Sequence, residues 1–476
     1  MGGCPVVFSS VTFLFVFLPL LLAAYYLLPV KARAWRNGVL LAFSLFFYAY
    51  GGPPFLLLML LSIAVNYVGA LWAAPGRRHA RAVMVLTTAV NLALLGWFKY
   101  AGFFFSNLAK VWTGLPVPEV TLPIGISFFT FQGLSYVLDV YQGQAQPQRN
   151  PLHVALYISL FPQLVAGPIV RYTTVAEEIL TRRETISDFS AGAVRFLFGL
   201  AKKMLLANQL GLMADEIFAV RPEFLTVSLT WLGAIAYTGQ IYFDFSGYSD
   251  MAIGLGHMFG FHFLENFNYP YISSSVTEFW RRWHISLSTW FRDYVYIPLG
   301  GNRCSTARHI RNILVVWALT GFWHGAAWTF LAWGLYYALL LLGEKYLWGR
   351  ILERLPAPVR HVYALVLILV GWVIFRAETL TYAWQFISAM FGAAAGGWAD
   401  GRSLYYLLQF RWELLLAIPA SLPLRDWALQ RLKARDNTLS GLILAWGPKA
   451  AALVLFALSF LRLVSSSYNP FIYFRF

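Results

Sequence analysis

The stretch from Asn37 to Gly76, NGVLLAFSLFFYAYGGPPFLLLMLLSIAVNYVGALWAAPG, contains no charged side chain. A bilayer span takes about 20 apolar residues, so the stretch holds two spans, hinged at the turn signature Gly51-Gly52-Pro53-Pro54. Upstream, Val6 to Val30 is also free of charge and reads as a third span. Its apolar core is longer than a secretory h-region and no small-x-small cleavage site follows, so it reads as a retained anchor. Residues 1–6 read as a dispensable N-terminal extension. The fold class is therefore an all-α polytopic integral membrane protein.

Composition agrees. Of 476 residues, 59% are hydrophobic and 12% charged, against about 25% charged in soluble domains. The net charge of +15 would suggest nucleic acid in a soluble chain. Here the basic residues sit between spans: Lys31, Arg33 and Arg36 after the first, and Arg77, Arg78 and Arg81 after the third, with the uncharged turn between. That alternation is the positive-inside pattern. It places the Lys31 and Arg77 loops in the cytoplasm and argues against nucleic-acid binding. Cys4 and Cys304 support neither a disulfide framework nor a metal site. Hydropathy suggests eleven or twelve spans in a single membrane domain, 1–476, with no room for a soluble domain and no clear internal repeat of the transporter kind.

One region breaks the pattern. Residues 265–311 are aromatic, polar and basic between apolar flanks, and read as a re-entrant or interfacial segment. It carries Arg281, Arg282, His284, Asp293, Asn302 and Arg303. Trp280, Trp283, Trp290 and Phe291 recur at helical spacing, which predicts an amphipathic helix. The plainer reading of its arginines is snorkelling to lipid headgroups.

His324 is the only group between Asn312 and Gly343 that ionises near neutral pH. An ionisable residue in such a segment is expensive and a functional-site hypothesis by default. Its neutral imidazole is the form that accepts a proton as a general base. Gly321 and Gly325 flank it as a small-xxx-small pair that admits close approach. A histidine bonded between helices is the structural alternative. His284 lies on a different element, and only folding can bring the two together. Asp244, Ser246, Tyr248 and Asp250 form a polar knot, read as lining a cavity or capping two helices. The remaining histidines read as structural or, for His79 and His309, as solvated in basic loops. No dinucleotide or phosphate loop, nucleophile elbow or His-Glu-x-x-His pattern occurs.

Several motifs together resemble the membrane-bound O-acyltransferase (MBOAT) family, in its bacterial alginate O-acetyltransferase branch. They are Tyr242-Phe243-Asp244-Phe245-Ser246-Gly247-Tyr248-Ser249-Asp250, Thr277-Glu278-Phe279-Trp280-Arg281-Arg282-Trp283-His284-Ile285-Ser286, Gly300-Gly301-Asn302-Arg303 and Trp323-His324-Gly325. Supporting matches are Leu122-Pro123-Ile124-Gly125, Ala166-Gly167-Pro168, Gly371-Trp372-Val373-Ile374-Phe375-Arg376 and the closing Pro470-Phe471-Ile472-Tyr473-Phe474. The resemblance runs from Val7 essentially to the C-terminus.

It implies helices ringed around a tunnel, with an acyl donor entering from the cytoplasm and an acceptor from outside. It maps the family's histidines onto His324 and His284. The expected chemistry is transfer of acetyl from cytoplasmic acetyl-CoA, a substrate rather than a resident cofactor, with His324 as general base. His284 would orient the acceptor or steady the oxyanion. Arg281, Arg282 and Arg303 are candidates for the phosphates of coenzyme A, suiting bidentate recognition. Trp280, Asp293, Asn302, Trp323, Asp244 and Tyr248 complete the candidate substrate-binding set. Expected partners are membrane lipids, an exported polysaccharide and a periplasmic or extracellular protein of the same pathway, at the bacterial inner membrane. A transporter or flippase for an envelope-glycan precursor is the rival.

Overall fold

A computed structural model describes residues 7–165, 167–434 and 437–472. The proposed extension 1–6, Ala166 of the Ala-Gly-Pro motif, and Tyr473 and Phe474 of the closing motif lie outside the described residues. Among those described, regular structure is helical, with no strand. Within them, four helical stretches are long and apolar enough to cross a membrane: Pro53–Ala73, Ala80–Ala109, Ala357–Arg376 and Thr438–Ser465. Phe13–Tyr26 is a shorter apolar helix. Other apolar segments of the hydropathy profile fall on helices that are shorter or carry more polar residues, so length and composition select fewer than eleven or twelve.

The predicted hinge is present: one helix ends at Gly51 and the next begins at Pro53, where the missing N–H of proline costs nothing. The chain divides into two compact units, Met1–Phe196 with Ser249–Leu264, and Leu197–Tyr248 with Glu265–Phe476.

In the first unit, Ile126–Tyr141 is buried along its length except at Leu138 and Tyr141, its polar residues Gln132 and Asp139 included. It packs against Pro53–Ala73 and Ala80–Leu95. Asn66 and Asn91 exchange amide hydrogen bonds of 3.0 Å there. A cluster of charge surrounds Glu184, whose carboxylate meets Arg33, Arg36 and Arg182 and accepts from the Tyr25 hydroxyl. Burial alone would raise the Glu184 carboxyl, but hydrogen bonds from Arg33 and Tyr25 hold it down at about 2.

The polar knot sits inside one continuous helix, Val227–Met258, rather than capping two. Its acids are neutralised from distant sequence. Lys203 lies 2.7 Å from Asp244, and Arg195 lies 2.9 Å from Asp250. His309, expected in solvent, is buried, within hydrogen-bond distance of the hydroxyls of Tyr296 at 3.0 Å and Tyr346 at 2.8 Å.

Candidate active site

The site belongs to the second unit. The aromatic spacing of residues 280–291 predicts one helix; the structure has two, Val276–Arg282 and Ile285–Phe291. The break comes where Trp283 turns extended and His284 adopts the left-handed region, φ 46° and ψ 52°, which a non-glycine residue rarely takes. Asn266 holds this conformation. Its Oδ1 accepts from the Ser286 amide at 3.2 Å and the Ser286 hydroxyl at 2.9 Å. Because that oxygen is an acceptor, His284 Nδ1, 3.3 Å away, is the donor, which fixes the imidazole tautomer. The first short helix is capped by Ser275 and by Glu344, which accepts from the amides of Val276 at 2.7 Å and Thr277 at 2.8 Å. A carboxylate at that end is also favoured by the helix dipole.

His324 is the last residue of the helix Thr306–His324; Gly325 is extended, and Trp328–Gly343 returns against it. Gly321 and Gly334 face each other across this hairpin: a Cβ on either would strike the opposite backbone, at the carbonyls of Phe330 and Trp317. The close approach expected of Gly321 is thus made to the neighbouring helix. His324 is 8% exposed and His284 1%; their ring centroids lie 6.4 Å apart.

His324 lines a cavity of about 10 Å³ with Ile241, Phe245, Trp283, Trp333, Trp372, Phe375 and Ile472, room for about one water-sized sphere. Trp333 and Phe375 meet the imidazole edge-on at 5.1 and 5.3 Å. The wall is aromatic, an environment that strengthens any hydrogen bond made inside it.

Of the residues singled out in the sequence as site candidates, His324 alone borders this cavity. Trp323 is buried beside both histidines, with ring centroids at 5.1 and 6.0 Å. Trp280 is buried among Trp317, Trp333 and Tyr337. Asp244 and Tyr248 are buried and engage the C-terminal segment, Asp244 through the Ile472 amide at 2.8 Å and Tyr248 against Phe471. Arg281, Asn302 and Arg303 are exposed, Arg282 pairs with Glu278 at 3.0 Å, and Asp293 pairs with Arg292 at 2.6 Å. None of these five borders the cavity. Sequence reasoning missed Trp333 and Asn266 as site residues. Trp333 stands in an apolar run where a tryptophan is unremarked, and Asn266 marks itself only by its bonds.

The family model of the membrane-bound O-acyltransferases matches residues 144–377. Over 99% of its length the chain is 43% identical to the probable alginate O-acetylase AlgI of Azotobacter vinelandii, covering all of that protein. It is 40% identical to the probable alginate O-acetylase AlgI of Pseudomonas aeruginosa, with 99% and 100% coverage, and 32% identical to the peptidoglycan O-acetyltransferase of Helicobacter pylori, with 98% and 97%. The chain belongs to the membrane-bound O-acyltransferase family. It is a membrane-bound acyltransferase, which decides against the transporter reading. The match spans both candidate histidines, most of the aromatic wall and the hairpin that carries His324.

Proposed function

We propose that this acyltransferase takes an acetyl group from cytoplasmic acetyl-CoA and passes it, through the bacterial inner membrane, to the hydroxyls of an exported polysaccharide. His324 acts as general base. The observation that carries the reading is the burial of His324 on a small, aromatic-walled cavity, with a second imidazole of fixed tautomer 6.4 Å away. A hydroxyl is a weak nucleophile until a base takes its proton, and such transfer contributes about 10²–10⁴-fold in rate. His284, whose Nδ1 is committed to Asn266, positions the acceptor. Alginate is the acceptor favoured by the relatives' names. A periplasmic protein of the same pathway completes delivery to the glycan.

The test is acetyl-CoA consumption by purified, detergent-solubilised protein with partner and glycan supplied, wild type beside His324→Ala. Turnover in the wild type and a loss of at least about 10²-fold in a folded variant is the expected result. Equal turnover in the two proteins would refute His324 as the base.

A further inference from the structure

Among the described residues, several polar hydrogens are buried in the aromatic packing beside His324 with no protein acceptor within hydrogen-bond distance, including the indole N–H groups of Trp280, Trp333 and Trp372 and the hydroxyl of Tyr337. A buried donor left unsatisfied is costly, and native interiors keep few of them. Trp333 and Trp372 line the cavity that His324 lines, and of the two Trp372 has the Tyr271 hydroxyl as a neighbouring partner, which leaves Trp333. Trp333 is fully buried, on the helix whose close approach to the His324 helix is set by Gly321 and Gly334. Its ring is enclosed by Phe375, Tyr337, Trp280 and His324 at 5.0–5.5 Å. An indole N–H donates and never accepts, so what it awaits is an acceptor atom brought by the substrate.

We propose that the Trp333 indole N–H holds the oxygen of the acyl carbonyl as that oxygen becomes an oxyanion. This inference rests on the assignment of acyl transfer to the His324 cavity. In the step, the acceptor hydroxyl oxygen bonds to the thioester carbonyl carbon while its proton passes to His324. The carbonyl π pair moves onto oxygen, where Trp333 donates to it. The pair then returns, the C–S bond breaks, and the departing thiolate takes the proton from the imidazolium. A donor fixed in a dry cavity stabilises developing charge far more than one in water. The oxyanion role therefore moves from His284, whose Nδ1 donor is already engaged by Asn266, to Trp333.

The test removes one hydrogen-bonding group, and in its second variant keeps the shape of the ring. Trp333→Phe, and Trp333 replaced by 3-benzothienylalanine, in which sulfur stands for N–H in an isosteric ring, are assayed in the full-length protein with acetyl-CoA, the partner protein and alginate oligosaccharide. His324→Ala runs alongside. Both Trp333 variants are expected to lose about 10²-fold in kcat, as loss of one oxyanion donor does, with the KM for acetyl-CoA within about threefold of wild type. If the phenylalanine variant fails to fold, the benzothienyl variant carries the test. A folded benzothienyl variant with wild-type kcat overturns the proposal. Wild-type kcat there with a dead His324→Ala leaves the base standing and removes only Trp333; wild-type rates in both remove the cavity as the reaction site.

Discussion

Replacing Lys203 by methionine should release the C-terminal segment from the edge of the His324 cavity. Lys203 and Asp244 form an ion pair at 2.7 Å with side chains only 4% and 2% exposed. Lys203 also donates to the Pro470 carbonyl, and Asp244 accepts the Ile472 amide at 2.8 Å. The pair thus ties the segment whose Ile472 lines the His324 cavity. Breaking one member of a buried pair strands the other's charge and costs about 3–5 kcal/mol. At about 1.4 kcal/mol per tenfold, that raises the released population of the segment by a factor of about 10² to 4 × 10³. Hydrogen–deuterium exchange of the C-terminal peptide should speed by that factor in Lys203→Met. In the double variant Lys203→Met/Asp244→Asn no charge is stranded, and the introduced amide's oxygen still accepts from the Ile472 N–H, so most of the protection should return. Unchanged exchange in the single variant, or additive losses in the double, would refute the reasoning.

Two further outcomes follow from local geometry. The Glu184 carboxyl is depressed to about 2 from an ordinary 4.5, so its contribution to stability is complete above about 5 and is lost as pH falls from there through about 2. Unfolding midpoints in detergent across pH 6 to 2 should show this loss in wild type and a smaller one in Glu184→Gln; coincident curves would contradict it. Gly321→Ala places a Cβ against the Phe330 carbonyl and should destabilise by about 1–3 kcal/mol or more through overpacking, read as a lowered thermal midpoint. Gly441→Ala, at a glycine with open space around it, should lower it little or raise it.

The membrane class was legible because absence of charge over Asn37–Gly76 is a property of composition and needs no partner. His324 was legible for a related reason: a lone imidazole in an apolar run stands out wherever the fold puts it. What escaped were features made by pairing. The run around Asp244–Asp250 reads as an interruption of two helices, yet it remains one helix because Lys203 and Arg195 supply the opposite charges, and no local propensity reports that. The arginines of residues 281–303 looked like ligands for phosphate on charge alone; in the fold they are exposed or already paired. The aromatic wall is gathered from Ile241 to Ile472, and in an apolar sequence its tryptophans resemble any others.

The break at Trp283–His284 shows how the site is held. Aromatic periodicity runs straight through it, and a left-handed histidine costs about 1–2 kcal/mol relative to the helical conformation. Three hydrogen bonds converge on Asn266 Oδ1, each contributing about 0.5–1.5 kcal/mol, and the Ile285 amide adds a fourth to the Asn266 carbonyl at 3.0 Å. Together they exceed the strain, so the kink is the stable state without any substrate present. A continuous helix over 276–291 would carry the His284 side chain on a regular helical turn and leave Asn266 without these donors. By stopping the first helix at Arg282 and restarting at Ile285, the chain sets one imidazole beside the end of another helix, where His324 stands next to an extended glycine. Strain held by a buried amide, in the imidazole beside the candidate base, is what pre-organisation of an acyl-transfer site requires.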